Sequence, residues 1–165
     1  MSPPIDLVVT DLDGTFWADE RELHPATRAA VDELDRRGVP LLVATGRRAG
    51  SARRALAALG LAPPAVLLNG SLGLDLDTGE RFHRGGFETE AALQVLAAFE
   101  QHGVAPCLYV EDESPSVYVS VAPSTHPDHL ASFGDSVRAA VLADVARTER
   151  VLAFGVLGID GDVGG

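Results

Sequence analysis

Lysine is absent from this chain of 165 residues: all 13 of its basic side chains are arginines, against 24 acidic ones. The formal charge of −11 argues against nucleic acid and anionic membranes as main partners, because a polyanion needs a positive field to approach. A small anionic substrate stays compatible where local donors and a metal offset that field. Cysteine is almost absent as well. Cys107 stands alone, so no internal disulfide can form, which suits a reducing cytoplasm. Its thiol reads as buried apolar filler. No apolar run reaches a membrane-spanning length, and the N-terminus lacks the basic-then-apolar pattern of a secretory leader. No Gly-x-Gly-x-x-Gly follows the first apolar strand, which disfavours a dinucleotide-binding fold. His126 and His129 have no cysteine or carboxylate cluster to complete a zinc site and read as a polar helix face. The acidic turn Glu111-Asp112-Glu113 lacks the ligand spacing and glycine of a calcium loop.

What the chain has is material for a core, with 46% hydrophobic residues in a length that suits one domain or one and a half. The stretch Ile5 to Thr15 organises the rest. Its apolar, β-branched run predicts a short buried strand, which ends abruptly in Asp11-Leu12-Asp13-Gly14-Thr15. Positions two apart project to the same side of an extended backbone, so the two carboxylates are expected to converge. Converging carboxylates repel unless a proton or a cation lies between them. A hard, oxygen-seeking ion such as Mg2+ is the usual answer. Gly14 relaxes the backbone so that amides can face an anion. A bare Asp-x-Asp also fits a simple turn cap; the strand before it and the Gly-Thr after it favour the site.

A helix is expected from His24-Pro25 to Gly38, with Pro25 early and Gly38 as the stop. A second buried strand follows, Val39 to Ala44, so the default is a parallel strand-helix-strand unit. It ends in Thr45-Gly46-Arg47-Arg48 ahead of a helix from Ala49 to Leu59. A hydroxyl, a free amide and a guanidinium at a helix start suit a phosphate, although a threonine cap with a surface arginine reads the same way. A third strand, Ala65 to Leu68, leads to Asn69-Gly70. Leu72 to Leu76 and Arg81 to His83 read as a hairpin, and Gly85-Gly86 as a hinge. Beyond it, a helix is expected over Thr89 to His102, strands over Pro106 to Val110 and Val117 to Val121, a helix over Ser136 to Ala146, and a last strand over Val151 to Leu157. Parallel sheets bind ligands beyond the carboxyl ends of their strands, where both polar motifs fall. Trp17, in the loop from Phe16 to Leu23, reads as packing on the core edge.

Asp11-Leu12-Asp13-Gly14-Thr15 after a hydrophobic strand resembles the first motif of the haloacid dehalogenase superfamily. Val43-Ala44-Thr45-Gly46-Arg47 resembles the second motif of its Cof-like phosphatase branch. The resemblance implies an α/β fold, a Rossmann-like parallel sheet with an inserted α+β cap domain, divided here as core residues 1–84 and part of a cap over residues 85–165. It implies Asp11 as nucleophile, Asp13 as general acid/base, and Mg2+ held by Asp11 and by the main-chain carbonyl of Asp13. Thr45, Gly46, Arg47 and Gly14 would serve the phosphate, and Asn69 would face the cleft. The substrate would be a small phosphorylated metabolite such as a sugar phosphate. The reading leaves room for a homo-oligomer.

Two later motifs of the family, a lysine and a Gly-Asp-x-x-x-Asp carboxylate pair, are not found; the Gly158 to Asp162 segment has the wrong spacing for the pair. The chain is therefore expected to be the N-terminal part of a larger enzyme, leaving the strand before Asp11 as an apolar sheet edge. A folded remnant that binds phosphate or a partner protein without catalysis is the alternative. A receiver-type phosphoacceptor ranks last, since it wants an aspartate where Asn69 stands, and a later lysine.

Overall fold

Helix α1 starts and stops where local chemistry dictates. In the computed structural model, which describes residues 5–19, 22–111, 116–120, 131 and 133–156, α1 spans Pro25–Arg37. Pro25 opens it, where a missing N–H costs nothing. The ring of His24 accepts from the Ala26 amide at 3.2 Å, and Gly38 closes the helix at φ 65°, a left-handed conformation that glycine adopts without strain. Helix α2, Ala49–Ala58, buries the stripe Ala49, Ala52, Ala55 and Leu56, spaced as one helical face requires.

Strands β1 (Val8–Thr10), β2 (Leu41–Ala44) and β3 (Pro64–Leu67) are parallel, with Val8 beside Leu41 and Val43 beside Ala65. The hairpin β4 (Leu72–Asp75) and β5 (Arg81–Arg84) continues the sheet antiparallel, giving the order β1-β2-β3-β4-β5. The parallel register sets the carboxyl ends of β1, β2 and β3 side by side. Asp11, Thr45 and Leu68-Asn69 follow those three ends directly.

β1 is the apolar sheet edge expected of it, and is less buried than its apolar run alone suggests. It has one neighbour, β2, and lies at the sheet edge; Ile5, Leu7 and Val9 are 67%, 50% and 54% exposed. Such an edge invites pairing with another strand. The Val9→Lys protein is expected to show weaker concentration-dependent association in sedimentation velocity than the unaltered chain. Equal association of the two would place the contact elsewhere.

The chain divides into two compact units, Met1–Arg84 and Gly85–Gly165. The second holds α3 (Thr89–Gln101), β6 (Cys107–Val110), β7 (Val117–Val119), β8 (Val137–Ala139), α4 (Leu142–Thr148) and β9 (Val151–Gly155). Its sheet order is β8-β7-β6-β9, with β6 antiparallel to both neighbours and β7 parallel to β8. Residues of β6 alternate between its faces. Leu108 and Val110 join Ala92 of α3 and Leu142, Val145 and Ala146 of α4 in one core. Cys107 packs with Val117, Val119 and Phe133 in another. Burial pushes the Cys107 thiol up to about 11, so it stays protonated and acts as apolar filler.

One expectation changes in this unit. The helix read over Ser136 to Ala146 is split: β8 occupies its first part and α4 begins at Leu142. Val137 pairs with Val117, the Ser116 amide donates to the Ser136 carbonyl at 2.9 Å and the Ala140 amide to the Val119 carbonyl at 2.9 Å. Sheet pairing here overrides helical spacing. The boundary between the units falls at Gly85, beside the Gly85-Gly86 pair; within the second unit a Cβ on Gly86 would lie 2.6 Å from the Val151 carbonyl oxygen, to which the Phe87 amide donates at 2.8 Å. His126, His129 and the Gly158 to Asp162 segment lie outside the described residues. No described helix is long and apolar enough to cross a membrane.

Candidate active site

The loop after β1 is a knot tied on Leu12. That side chain is fully buried, and its carbonyl accepts from the amides of Thr15, Phe16 and Trp17 at 3.3, 3.0 and 3.2 Å. The Gly14 amide returns to the Trp17 carbonyl at 2.9 Å, which Gly14 reaches by adopting φ 79°. Phe16 and Trp17 are buried and meet edge to face, their ring centroids 5.7 Å apart. With these apolar groups inside, Asp11 and Asp13 are left on the exposed side.

The second loop is tied to the third strand. The Thr45 amide donates to the Val66 carbonyl at 2.9 Å, and the Leu68 and Asn69 amides donate to the carbonyls of Arg47 and Thr45 at 3.1 and 3.3 Å. Thr45 is a buried polar residue, and its hydroxyl accepts from the Arg47 amide at 3.2 Å. It is not a helix cap: that position belongs to Arg48. An open cavity of about 490 Å³ is lined by Asp11, Thr45, Gly46 and Asn69, with Ala44, Val66 and Gly70.

Asp13, Arg47 and Gly14 do not line that cavity. Asp13 instead forms a two-pronged ion pair with Arg47, Nε to Oδ2 at 2.7 Å and Nη2 to Oδ1 at 2.6 Å. The indole Nε1–H of Trp17 donates to the same Oδ1 at 3.1 Å, and the Arg47 guanidinium carbon lies 5.4 Å from the Trp17 ring centroid. The Asp13 carboxylate thus faces a guanidinium, while that of Asp11 lines the cavity. The strand ends at Thr10, so the same-side rule for extended backbone stops there, and the counter-charge beside Asp13 is Arg47. Trp17 is more than a core-edge residue, since it is buried and touches both partners of the pair. Its place four residues after Asp13, as the one tryptophan, is the signal that points to it.

The Arg47 hydrogen bonds, helped by Trp17 and by the arginine charge, hold the Asp13 carboxyl below the usual carboxylate range against the opposing effect of partial burial. A depressed folded value means that this pair stabilises the fold above the ordinary carboxylate pKa. The contribution is lost as pH falls through the depressed value. Asp13 is half exposed, so water screens the interaction.

The donor chemistry fits a magnesium ion in part. Mg2+ is held by one or two carboxylates, with substrate phosphate and water completing its shell. Asp11 offers an exposed carboxylate at the cavity, and the hydrogen bonds that knot its loop use the carbonyls of Leu12 and Trp17, not that of Asp13. Among the described residues no group of three or more His, Cys, Asp or Glu is placed to hold a metal by itself.

A parallel α/β sheet carrying an acidic loop, a hydroxyl and an amide side chain at its carboxyl ends defines the class: a Rossmann-like domain with its site at the strand tips. Residues 8–137 match the haloacid dehalogenase-like hydrolases, and the chain belongs to that family. Among curated relatives, it is 38% identical over 66 residues to a phosphoglycolate phosphatase of Methanopyrus kandleri, covering 40% of this chain and 28% of that one. It is 26% identical over 106 residues to the pyridoxal phosphate phosphatase YbhA of Escherichia coli, covering 64% and 39%. Among solved structures, TM0651 from Thermotoga maritima superposes with a TM-score of 0.70 at 19% identity, over 89% of this chain and 54% of that one. The phosphatase BT1666 from Bacteroides thetaiotaomicron gives 0.70 at 17% identity, over 89% and 53%. The chain thus spans about half the length of these solved relatives, and its matches cover less than half of the curated ones.

Proposed function

We propose that this chain carries the nucleophile-bearing part of a Mg2+-dependent phosphatase that acts on a small phosphorylated metabolite, such as a sugar phosphate, in the cytoplasm. The observation that carries the reading is the grouping of Asp11, Thr45, Gly46 and Asn69 around one open cavity, with the Asp13–Arg47 pair adjoining in sequence.

On this reading a substrate phosphate enters the cavity and Asp11 attacks phosphorus in line with the leaving oxygen. The P–O bond to the alcohol breaks as an aspartyl-phosphate forms, which splits one difficult hydrolysis into two easier steps. Thr45 donates to a phosphoryl oxygen, a neutral hydrogen bond where negative charge accumulates. The Asp11 carboxylate and the Asp13 carbonyl would hold the Mg2+, which neutralises phosphoryl charge when bound.

Asp13 handles the proton. Paired with Arg47 it is ionised, the form that accepts a proton from water in the second step. In the first step it must instead give a proton to the leaving oxygen. A phosphate dianion competes with Asp13 for the Arg47 guanidinium, and loss of that partner removes the main cause of the depressed Asp13 value. The relaxed carboxyl takes up a proton from solvent and passes it to the leaving oxygen as the P–O bond breaks.

A panel of phosphate monoesters with Mg2+ tests the reading. Phosphate release that a chelator stops and added Mg2+ restores is expected. Hydrolysis of no ester, by this chain or by any longer product of the same gene, would leave the non-catalytic remnant as the better description.

A further inference from the structure

Two successive non-glycine residues, Leu68 at φ 49° and Asn69 at φ 54°, occupy the left-handed region. A leucine there is sterically unfavourable, and such strain persists where the surroundings over-determine it, often beside a site. Here they do. Leu68 is buried. Its amide and that of Asn69 are bonded to the Arg47 and Thr45 carbonyls, and the Ser71 amide donates back to the Leu68 carbonyl at 3.2 Å. All these bonds use backbone atoms, so the carboxamide of Asn69 takes no part in holding the loop. It is exposed and lines the cavity with Asp11 and Thr45.

Gly46 fits the same purpose. A Cβ on Gly46 would stand 3.0 Å from Asn69 Oδ1, close enough to force the carboxamide aside. Two loops thus meet with a side chain missing on one and a strained backbone on the other, which leaves room for one neutral amide at the cavity. We propose that Asn69 is a phosphoryl-contacting residue, the second neutral donor of the cavity beside Thr45. A neutral donor suits this place: the cavity already holds the Asp11 carboxylate, and another negative charge would repel a phosphate. This rests on the phosphatase reading. The competing explanation is that asparagine stands at position 69 only because it tolerates the left-handed conformation.

Two substitutions separate the explanations. Asn69→Gly removes the carboxamide and relieves the backbone strain, so its melting temperature should equal or exceed that of the unaltered chain. Asn69→Asp keeps the shape and tolerates the same backbone but brings a charge. The readout is the affinity for inorganic phosphate with Mg2+ present, by calorimetry on the full chain. We expect Asn69→Gly to bind about five-fold more weakly, the worth of one neutral hydrogen bond, and Asn69→Asp to bind more weakly still. Phosphate binding by the glycine variant equal to that of the unaltered chain overturns the assignment and leaves the phosphatase reading intact; equal binding by the aspartate variant does the same. An unaltered chain that binds no phosphate overturns both.

Discussion

Replacing Asp11 by asparagine is expected to lower phosphate-ester turnover by at least about four orders of magnitude, the scale seen when a nucleophile acting within a catalytic unit is removed. The fold should survive. The Asp11 side chain is exposed at the cavity. The contacts that tie its loop run through Leu12, Gly14, Phe16 and Trp17, and its main-chain carbonyl accepts from the Thr10 hydroxyl whichever side chain it bears. An amide is nearly isosteric with a carboxylate but lacks the charge that makes it a nucleophile. The check is kcat beside the melting temperature of the same sample. Retained turnover would remove the nucleophile assignment, and lost turnover with a collapsed melting temperature would point to a structural role.

Leu12→Ala is expected to do the opposite, damaging stability first. Leu12 is fully buried between two exposed carboxylates, and removing its methyl groups leaves a cavity that costs about 3 kcal/mol, within the usual range for a buried leucine. The loss should appear as a lowered midpoint in urea unfolding. Because three amides converge on its carbonyl, loosening of this residue should also free Trp17 from Asp13, seen as a change in tryptophan fluorescence under native conditions. Ile5→Ala is the control, since Ile5 is mostly exposed and its truncation should leave the midpoint almost unchanged. Equal midpoints for the Leu12 and Ile5 variants would deny Leu12 its anchoring part.

The strand-helix alternation is legible in the sequence because each turn carries its own chemistry. Pro25 and Gly38 bracket α1, and the apolar runs ahead of Asp11, Thr45 and Asn69 form β1, β2 and β3, whose shared direction places those residues at one end of the sheet. The Asp13–Arg47–Trp17 contact is not legible there. It joins positions 34 apart in the chain, and nothing local to Asp13 says that a guanidinium stands beside its carboxylate. The left-handed turn at Leu68 is hidden too, because leucine carries no sign of that conformation and tertiary bonds, among them those to the Arg47 and Thr45 carbonyls, hold it there. Strand β8 reads as helix for a related reason: Val137 has a partner in Val117, a fact of tertiary pairing that no local spacing contains. The apolar edge at β1, by contrast, is among the features expected from the sequence.

The most direct test is chemical capture of the acyl phosphate. The chain is mixed with a phosphate monoester and Mg2+, quenched in acid and reduced with borohydride, and its peptides are read by mass spectrometry. Reduction turns an acyl phosphate into an alcohol, so homoserine is expected at position 11 and at no other aspartate. Its absence from a sample that is demonstrably releasing phosphate, or its appearance at position 13, would contradict the account.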